Sequence, residues 1–356
     1  MRVAERSGWL SWLQWRGAGT TPLVGVDIAP TGVRIIELQA SARGPRISHH
    51  AQLPLADGAW LAALGGDPHA LVDTLKRALK ASGTRLRQAA VALPAGAVIT
   101  RTLCLPQPAH DEELEWLVEA DAAQSLPFPR DEISLDFATL GPSSDDASMV
   151  DVLLVAARSE RIAQRVGWAE AAGLKAIVVG AESHAVVAAI DRLCGDGRHA
   201  ESILHFSGDG THCLFVRGDR LLFERELGQP LPSVVDIGQG GASALDGWLD
   251  AASLEWQRHG QLFAAAAGEG EIDRLHLAGA GELGPRLAEG LRQRLGIDVG
   301  VPDPFLHWPS VQRRGHEGGS GNGECPMDYD AGHERDERGG AACLLACGLA
   351  LRGLGA

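Results

Sequence analysis

Runs of apolar residues predict a chain that alternates β-strands with α-helices. Two largely apolar runs within residues 23–38 flank the turn-forming residues 29–32, which predicts a β-hairpin with a polar tip. Leu71, Leu75 and Leu79 fall on one helical stripe, so a helix is expected there. The apolar run that follows, at residues 88–94, is typical of a buried strand.

A smaller unit is predicted over about residues 95–148. A strand near 98–105 comes first, and acidic residues 111–115 then open a helix that the prolines after Leu126 must end. A strand at 133–140 completes this unit. The next apolar strand, at 150–157, begins a β-α-β-α alternation that is typical of an α/β lobe.

The strand–turn–strand pattern returns in the second half of the chain. Residues 203–216 repeat the opening hairpin, and His205 lies 178 positions after Asp27, half the length of the chain. Such spacing indicates an internal duplication. Residues 228–241 are predicted to form a plain loop, and the Asp236-Ile-Gly sequence within it is interpreted as a coincidental likeness to a phosphate motif.

These patterns predict a tail, two lobes and an insertion. The tail covers residues 1–22, the first lobe covers 23–200 with the insertion at about 95–148, and the second lobe covers 201–356 with a flexible loop at about 312–340. Trp9, Trp12 and Trp15 share one face of the tail. We interpret the tail as loosely ordered, with docking on a membrane surface or a partner as the alternative.

Composition narrows the class of protein. Hydrophobic residues make up 45% of the chain and the formal net charge is −14, which argues against non-specific nucleic-acid binding. The six cysteines have no CxxC spacing and are interpreted as buried thiols in a reducing compartment. The sequence has no apolar run of the roughly 20 residues needed to span a bilayer.

Three turns carry the candidate chemistry. Successive backbone N–H groups in a turn make a concave anion site, and small residues let a phosphate approach. The candidate nucleotide-binding residues are Asp27, Ala29, Thr31 and Gly32 in the first hairpin, Ser207, Gly208, Gly210 and Thr211 in the second, and Gly279, Ala280 and Gly281 before a late helix. Asp27 is the candidate ligand of a metal ion or of its waters.

Several motifs resemble those of the type IV pilus assembly PilM family. Residues 24–38 look like its first phosphate motif, residues 101–137 like its inserted subdomain, and residues 278–281 like its adenosine motif. The resemblance extends from Leu23 to Arg352. It implies an α/β, actin-like, two-lobed fold, in which an RNase H-like unit is duplicated and carries a small inserted α+β subdomain.

The resemblance also implies a function. Members of this family act as scaffolds on the cytoplasmic face of the inner membrane, so the expected partner is the cytoplasmic N-terminal peptide of a PilN-like membrane protein. Other alignment-complex or motor proteins are further expected partners, and membrane contact is expected only through a partner. The expected peptide-lining residues are Arg101, Leu103, Leu105, Leu126 and Phe128, although each aliphatic side chain taken singly reads more simply as core.

The nucleotide site departs from the family pattern. His205 stands where the fold usually has an aspartate, Pro30 removes one N–H donor from the first turn, and the stretch after Leu227 is short. We therefore expect a degenerate site that does not hydrolyse nucleotide. The alternative is an ATP-binding switch or slow ATPase that holds ATP with Mg²⁺.

Overall fold

The computed structural model describes most of the chain, in ranges separated by short gaps and one long gap. The described residues are 21–42, 44–108, 110–143, 146–195, 197–228, 234–267, 272–310 and 340–354. The predicted tail and the predicted loop at 312–340 lie almost wholly outside them. No helix among the described residues is both long enough and apolar enough to cross a membrane.

The described residues of the first half form eight strands and five α-helices. They are β1 (Val24–Ala29), β2 (Gly32–Ser41), β3 (Gly44–Pro54), α1 (Ala59–Leu64), α2 (His69–Ser82), β4 (Gln88–Leu93), β5 (Val98–Pro106), α3 (Asp111–Ser125), β6 (Ile133–Pro142), β7 (Met149–Arg158), α4 (Ser159–Ala171), β8 (Lys175–Ala181) and α5 (Glu182–Cys194). The predicted helix at 71–79 is thus confirmed as part of α2, and Gly83 ends it in the left-handed conformation with φ 69°.

The second half repeats the order of strands and helices with fewer elements between its strands. Its described elements are β9 (Glu201–Phe206), β10 (Thr211–Arg217), β11 (Arg220–Leu227), α6 (Val234–Ala267), β12 (Arg274–Ala278), α7 (Gly284–Leu295), β13 (Asp298–Gly300), α8 (Pro304–His307) and α9 (Leu344–Leu351).

Two five-stranded sheets have the same strand order. The first runs β3-β2-β1-β4-β8 and the second runs β11-β10-β9-β12-β13. In each, the first three strands in sequence are antiparallel neighbours and the last two are added in parallel. The duplication that the two hairpins predicted is therefore present in the sheets themselves.

Helices α5 and α9 pack between the two sheets and join them. Their side chains share one apolar cluster with residues of β4 and β8 from the first sheet and of β9, β10 and β12 from the second. The approach is close at Gly348, where an added Cβ would lie 1.8 Å from the carbonyl oxygen of Ala185, and at Gly25, where it would lie 1.9 Å from that of Ala346. Glycine is therefore required at both positions by contact with backbone.

The inserted subdomain extends further than the predicted boundary at residue 148. Its three-stranded sheet has the order β5-β7-β6, so β7, which we assigned to the first lobe, is its central strand. The apolar run in β7 has two causes. Val152 and Leu154 pack in the subdomain core against α3, whereas Val155 and Ala157 on the other face belong to the core of the first lobe. A strand buried on both faces reads as a continuous apolar run.

The loop predicted over residues 228–241 is partly wrong. Helix α6 starts at Val234, so Asp236-Ile-Gly lies in a helix of 34 residues. The glycines that suggested a loop each destabilise a helix by only about 1 kcal/mol. The part of α6 that begins at Leu245 gains far more, because Trp248, Trp256 and Phe263 are buried in the core of the second lobe.

Candidate functional site

The first hairpin supplies one wall of a cleft between the two halves. Asp27 on β1 lies opposite Arg34 on β2. Arg34 donates from Nη1 to Asp27 Oδ2 over 2.9 Å and from Nη2 to Thr31 Oγ1 over 2.9 Å. The Asp27 side chain is buried, and its Oδ1 has no hydrogen-bond partner among the described residues. The carboxylate on the first strand is therefore already paired with a cation from the protein.

The second hairpin supplies the opposite wall. His205 on β9 lies opposite His212 on β10, and the turn between these strands holds Ser207, Gly208, Asp209 and Gly210. Ser207 Oγ donates to Glu182 Oε2 over 2.5 Å, which ties the turn to the start of α5. Asp209 Oδ1 lies 3.3 Å from His212 Nε2, and Asp209 Oδ2 accepts from the backbone N–H of Gly96 over 2.8 Å.

The cleft has a volume of about 370 Å³ and gathers most of the predicted nucleotide-binding residues. The predicted residues that line it are Asp27, Ala29, Thr31, Ser207, Gly208, Gly210, Thr211 and Gly279. Gly32 instead packs against β3, where an added Cβ would lie 2.4 Å from the carbonyl oxygen of Leu53. Ala280 is part of the second lobe's core, and Gly281 opens the turn towards α7 with φ 55°.

Burial governs the charges in the cleft. It raises the pKa of Glu182 to about 7, with a smaller push from Asp27, and hydrogen bonding from Ser207 only partly opposes this. Burial also lowers the pKa of His205 to about 3, so that imidazole is neutral at physiological pH. Burial would raise the pKa of Asp209 too, but hydrogen bonds from His212 and Ser207 outweigh it and lower that pKa to about 2.

Asp27 does not fit a direct magnesium ligand. One of its oxygens accepts from Arg34, and the other is buried. The neutral His205 offers no carboxylate from the opposite wall, and Mg²⁺ prefers oxygen ligands. Within the described ranges, no group of three histidine, cysteine, aspartate or glutamate side chains is arranged to hold a metal ion.

A second cavity, which we call the groove, lies between the inserted subdomain and the first lobe. It has a volume of about 600 Å³. Its apolar lining includes Trp60 and Leu64 of α1, Ile99 of β5, and Leu126 and Phe128 in the segment after α3. It also has a basic side, to which Arg158, Arg161 and Arg165 contribute.

The five predicted peptide-lining residues are divided among three places. Leu126 and Phe128 line the groove, with Leu126 also part of the subdomain core, whereas Leu103 and Leu105 are buried in that core without lining the groove. Arg101 is exposed on β5, which is an edge strand of its sheet. The alternative interpretation of ordinary core therefore describes the positions of Leu103 and Leu105.

Sequence reasoning missed the basic side of the groove. The guanidinium of Arg158 lies 4.3 Å from the ring centroid of Phe128. Arg165 is buried between Trp60 and Trp168, and its Nη1 donates to the carbonyl oxygen of Ile28 over 2.8 Å. Arg161 and Arg165 are four residues apart on one face of α4, and Arg158 directly precedes that helix, so part of this signal was present in the sequence.

The second turn lies between the two cavities. Gly208 and Asp209 line both the groove and the cleft. Contact of this turn with the first half is tight, since a Cβ added to Gly208 would lie 2.7 Å from Cδ of Pro30. One short turn of the second lobe therefore forms the wall that separates the two cavities.

Two sheets with the same strand order, joined by helices and facing each other across a cleft lined by hairpin turns, define the two-lobed actin-like class. The predicted α/β fold with a duplicated unit and an inserted subdomain is thus confirmed. Residues 25–228 match the sequence model of the family described as type IV pilus assembly protein PilM. Because this match spans more than half of the 356 residues, the chain belongs to that family.

The fold is similar to that of a solved structure. A PilM–PilN type IV pilus biogenesis complex matches with a TM-score of 0.71 and 24% identity, over 94% of this chain and 99% of that one. Ethanolamine utilization protein EutJ from Carboxydothermus hydrogenoformans has a TM-score of 0.43 and 11% identity, over 97% and 94%. The cytoplasmic domain of EpsL, an inner membrane component of the type II secretion system of Vibrio cholerae, has a TM-score of 0.39 and 14% identity, over 72% and 82%.

Proposed function

We propose that this protein is a scaffold of type IV pilus assembly that binds the cytoplasmic N-terminal peptide of a PilN-like membrane protein in the groove. Membership of the PilM family supports the role, and the similar solved structure is a PilM–PilN complex. The observation that carries the proposal is the groove beside the inserted subdomain. The protein would then be cytoplasmic and held at the inner membrane by its partner, with other alignment-complex or motor proteins as further partners.

The groove suits an extended peptide. Its volume of about 600 Å³ is in the range of specific binding sites, and its apolar lining can take the side chains of alternate residues. Strand β5 is an edge strand, and Ile99 near its start lines the groove, so unpaired backbone groups lie beside the apolar surface. An extended peptide could add to this edge while its side chains fill the groove.

The test is a titration of the full chain with the N-terminal peptide of the PilN-like protein encoded beside this gene. Leu64→Asp puts a charge into the groove, and Leu254→Asp is its matched control, because Leu254 is an exposed leucine on α6 in the other lobe. We expect Leu64→Asp to weaken binding by roughly tenfold or more and Leu254→Asp to leave it unchanged. The absence of binding well above micromolar concentration, or an equal effect of both variants, would refute the proposal.

A nucleotide-binding switch is the second candidate function. It is favoured by the convergence of both hairpin turns and Gly279 on the cleft, which is the arrangement expected for a phosphate-binding site in this fold class. The candidate ligand is ATP, with or without Mg²⁺, and the candidate residues are those of the three turns. Calorimetric titration with ATP tests it, and the assignment of Asp27 fails if Asp27→Ala binds as the original chain does.

Hydrolysis is not part of this proposal. A metal-dependent reaction at this site would require a carboxylate that is free to orient a cation or its waters, and Asp27 is paired with Arg34.

We also propose the lobe boundaries at residues 23–200 and 201–356, with the inserted subdomain extended to residue 158.

A further inference from the structure

The cleft contains a fixed positive charge beside Asp27, the residue that the sequence suggested as a metal ligand. The guanidinium of Arg34 contacts Asp27 and Thr31, and all three residues line the cleft. Arginine stays protonated at any physiological pH and carries five N–H donors, of which these two contacts use two. Donors therefore remain for an anion that enters the cleft.

Each of the three acidic side chains of the cleft has a partner within the protein, although Oδ1 of Asp27 has none. Asp27 is paired with Arg34, Asp209 is bonded to His212 and to the backbone of Gly96, and Glu182 accepts from Ser207. A divalent cation bound to Asp27 Oδ2 would have to displace the guanidinium of Arg34, and one bound to Oδ1 would lie close to that positive charge and be repelled by it. Displacing a buried ionic partner is unfavourable, because it leaves a charge without compensation.

The rim of the cleft is built for close approach of a ligand to backbone. Ala29, Gly208, Gly210 and Gly279 all line it, so the hairpin turns present small residues. Gly279 is needed for its conformation as well, because its φ is 84° and an added Cβ would lie 2.5 Å from the carbonyl oxygen of Phe206. These features favour a phosphate group, which accepts hydrogen bonds from backbone N–H groups and pairs with arginine.

We infer that the cleft binds a nucleoside diphosphate or triphosphate without a divalent cation, and that the guanidinium of Arg34 supplies the counter-charge in its place. This inference depends on the proposed nucleotide-binding role of the cleft. It adds to that role the identity of the group that neutralises the phosphate charge. The ligand chemistry is that of a phosphoanion, whose charge would otherwise be carried by Mg²⁺.

Calorimetric titration of the full chain with ADP and with ATP, in EDTA and in excess Mg²⁺, tests the inference. We expect the dissociation constants in the two buffers to agree within about threefold. Binding that is tenfold tighter or more in Mg²⁺ would overturn the role of Arg34 but would leave nucleotide binding intact. The absence of binding in both buffers would overturn the inference together with the proposed nucleotide site.

Three substitutions sharpen the test. Arg34→Met should weaken binding in EDTA by roughly tenfold or more, whereas Arg46→Met on β3 should leave it unchanged, because Arg46 does not line the cleft and bonds to Gln39 at the surface. Arg34→Lys keeps the charge near Asp27 and serves if the methionine variant unfolds. We expect it to retain part of the affinity in EDTA. Unchanged affinity in a folded Arg34→Met variant would overturn the inference.

Discussion

Glu182 offers a direct test of how the cleft handles buried charge. It lies in the first turn of α5, it is 5% exposed, and its Oε2 accepts from Ser207. Burial raises the pKa of this carboxyl to about 7 from its ordinary 4.5. We therefore consider Glu182→Gln, which keeps the shape and an oxygen that can accept from Ser207 but removes the titration.

The magnitude follows from the shift in pKa. A rise of about 2.5 units corresponds to roughly 3 kcal/mol, at about 1.4 kcal/mol a unit. The folded state holds the proton more tightly than the unfolded state does, so this contribution is fully present below the unfolded pKa of 4.5. It is lost as pH rises through the folded value of about 7. The original chain should therefore lose about 2–3 kcal/mol between about pH 5 and pH 8 that the glutamine variant does not lose.

The assay is urea unfolding of both chains at several pH values across that window, followed by tryptophan fluorescence. Other groups titrate in both chains, so the difference between their unfolding free energies isolates Glu182. Glu160→Gln is the matched control, because Glu160 occupies the first turn of α4 and is exposed. A difference that stays constant over the window for Glu182→Gln would refute the reasoning.

Three further predictions concern packing and pairing. Gly348→Ala should lower the unfolding free energy by about 3 kcal/mol, because the added Cβ would overlap the backbone of Ala185. Gly247→Ala, which adds a Cβ in open space on α6, should raise the unfolding free energy by about 0.5–1 kcal/mol, and similar melting temperatures for the two variants would contradict this. Phe263→Ala should cost about 3–5 kcal/mol, since the ring is buried and stacks on Phe215 at 4.9 Å, and the exposed neighbour Leu262→Ala should cost little in the same denaturation assay. Asp209→Asn removes the main group that raises the pKa of His212, so an NMR titration should give a lower value in the variant, and an unchanged value would count against the pairing.

Elements with a local sequence pattern were predictable, because the residues that form the pattern are close together along the chain. The stripe of leucines gives α2, and the two apolar hairpins give the first two strands of each sheet. The duplication was also predictable from the spacing of the two hairpins. In the structure, His205 pairs with the residue seven positions later, as Asp27 does in the first hairpin. The turns of the cleft followed from that duplication.

Features that depend on distant contacts were not predictable in the same way. The apolar run of β7 shows that it is buried but not which sheet it joins, because it packs on two cores at once. The start of α6 was hidden by glycines, which weaken a helix without preventing it. The groove brings together Trp60, Phe128 and Arg161 from three separate segments, and no local pattern in the sequence records that they meet.

The two hairpins share one strand register but differ in the ionisable residues at the paired positions. Asp27 faces Arg34 in the first, and the positions 178 residues later hold His205 facing His212. Burial keeps His205 neutral, and Asp209 pairs with His212 rather than with a ligand of the cleft. Each hairpin therefore pairs its own carboxylate within the protein, Asp27 with Arg34 and Asp209 with His212. The proposed anion binding needs neither carboxylate, whereas metal-dependent hydrolysis would require one that is free to orient a cation.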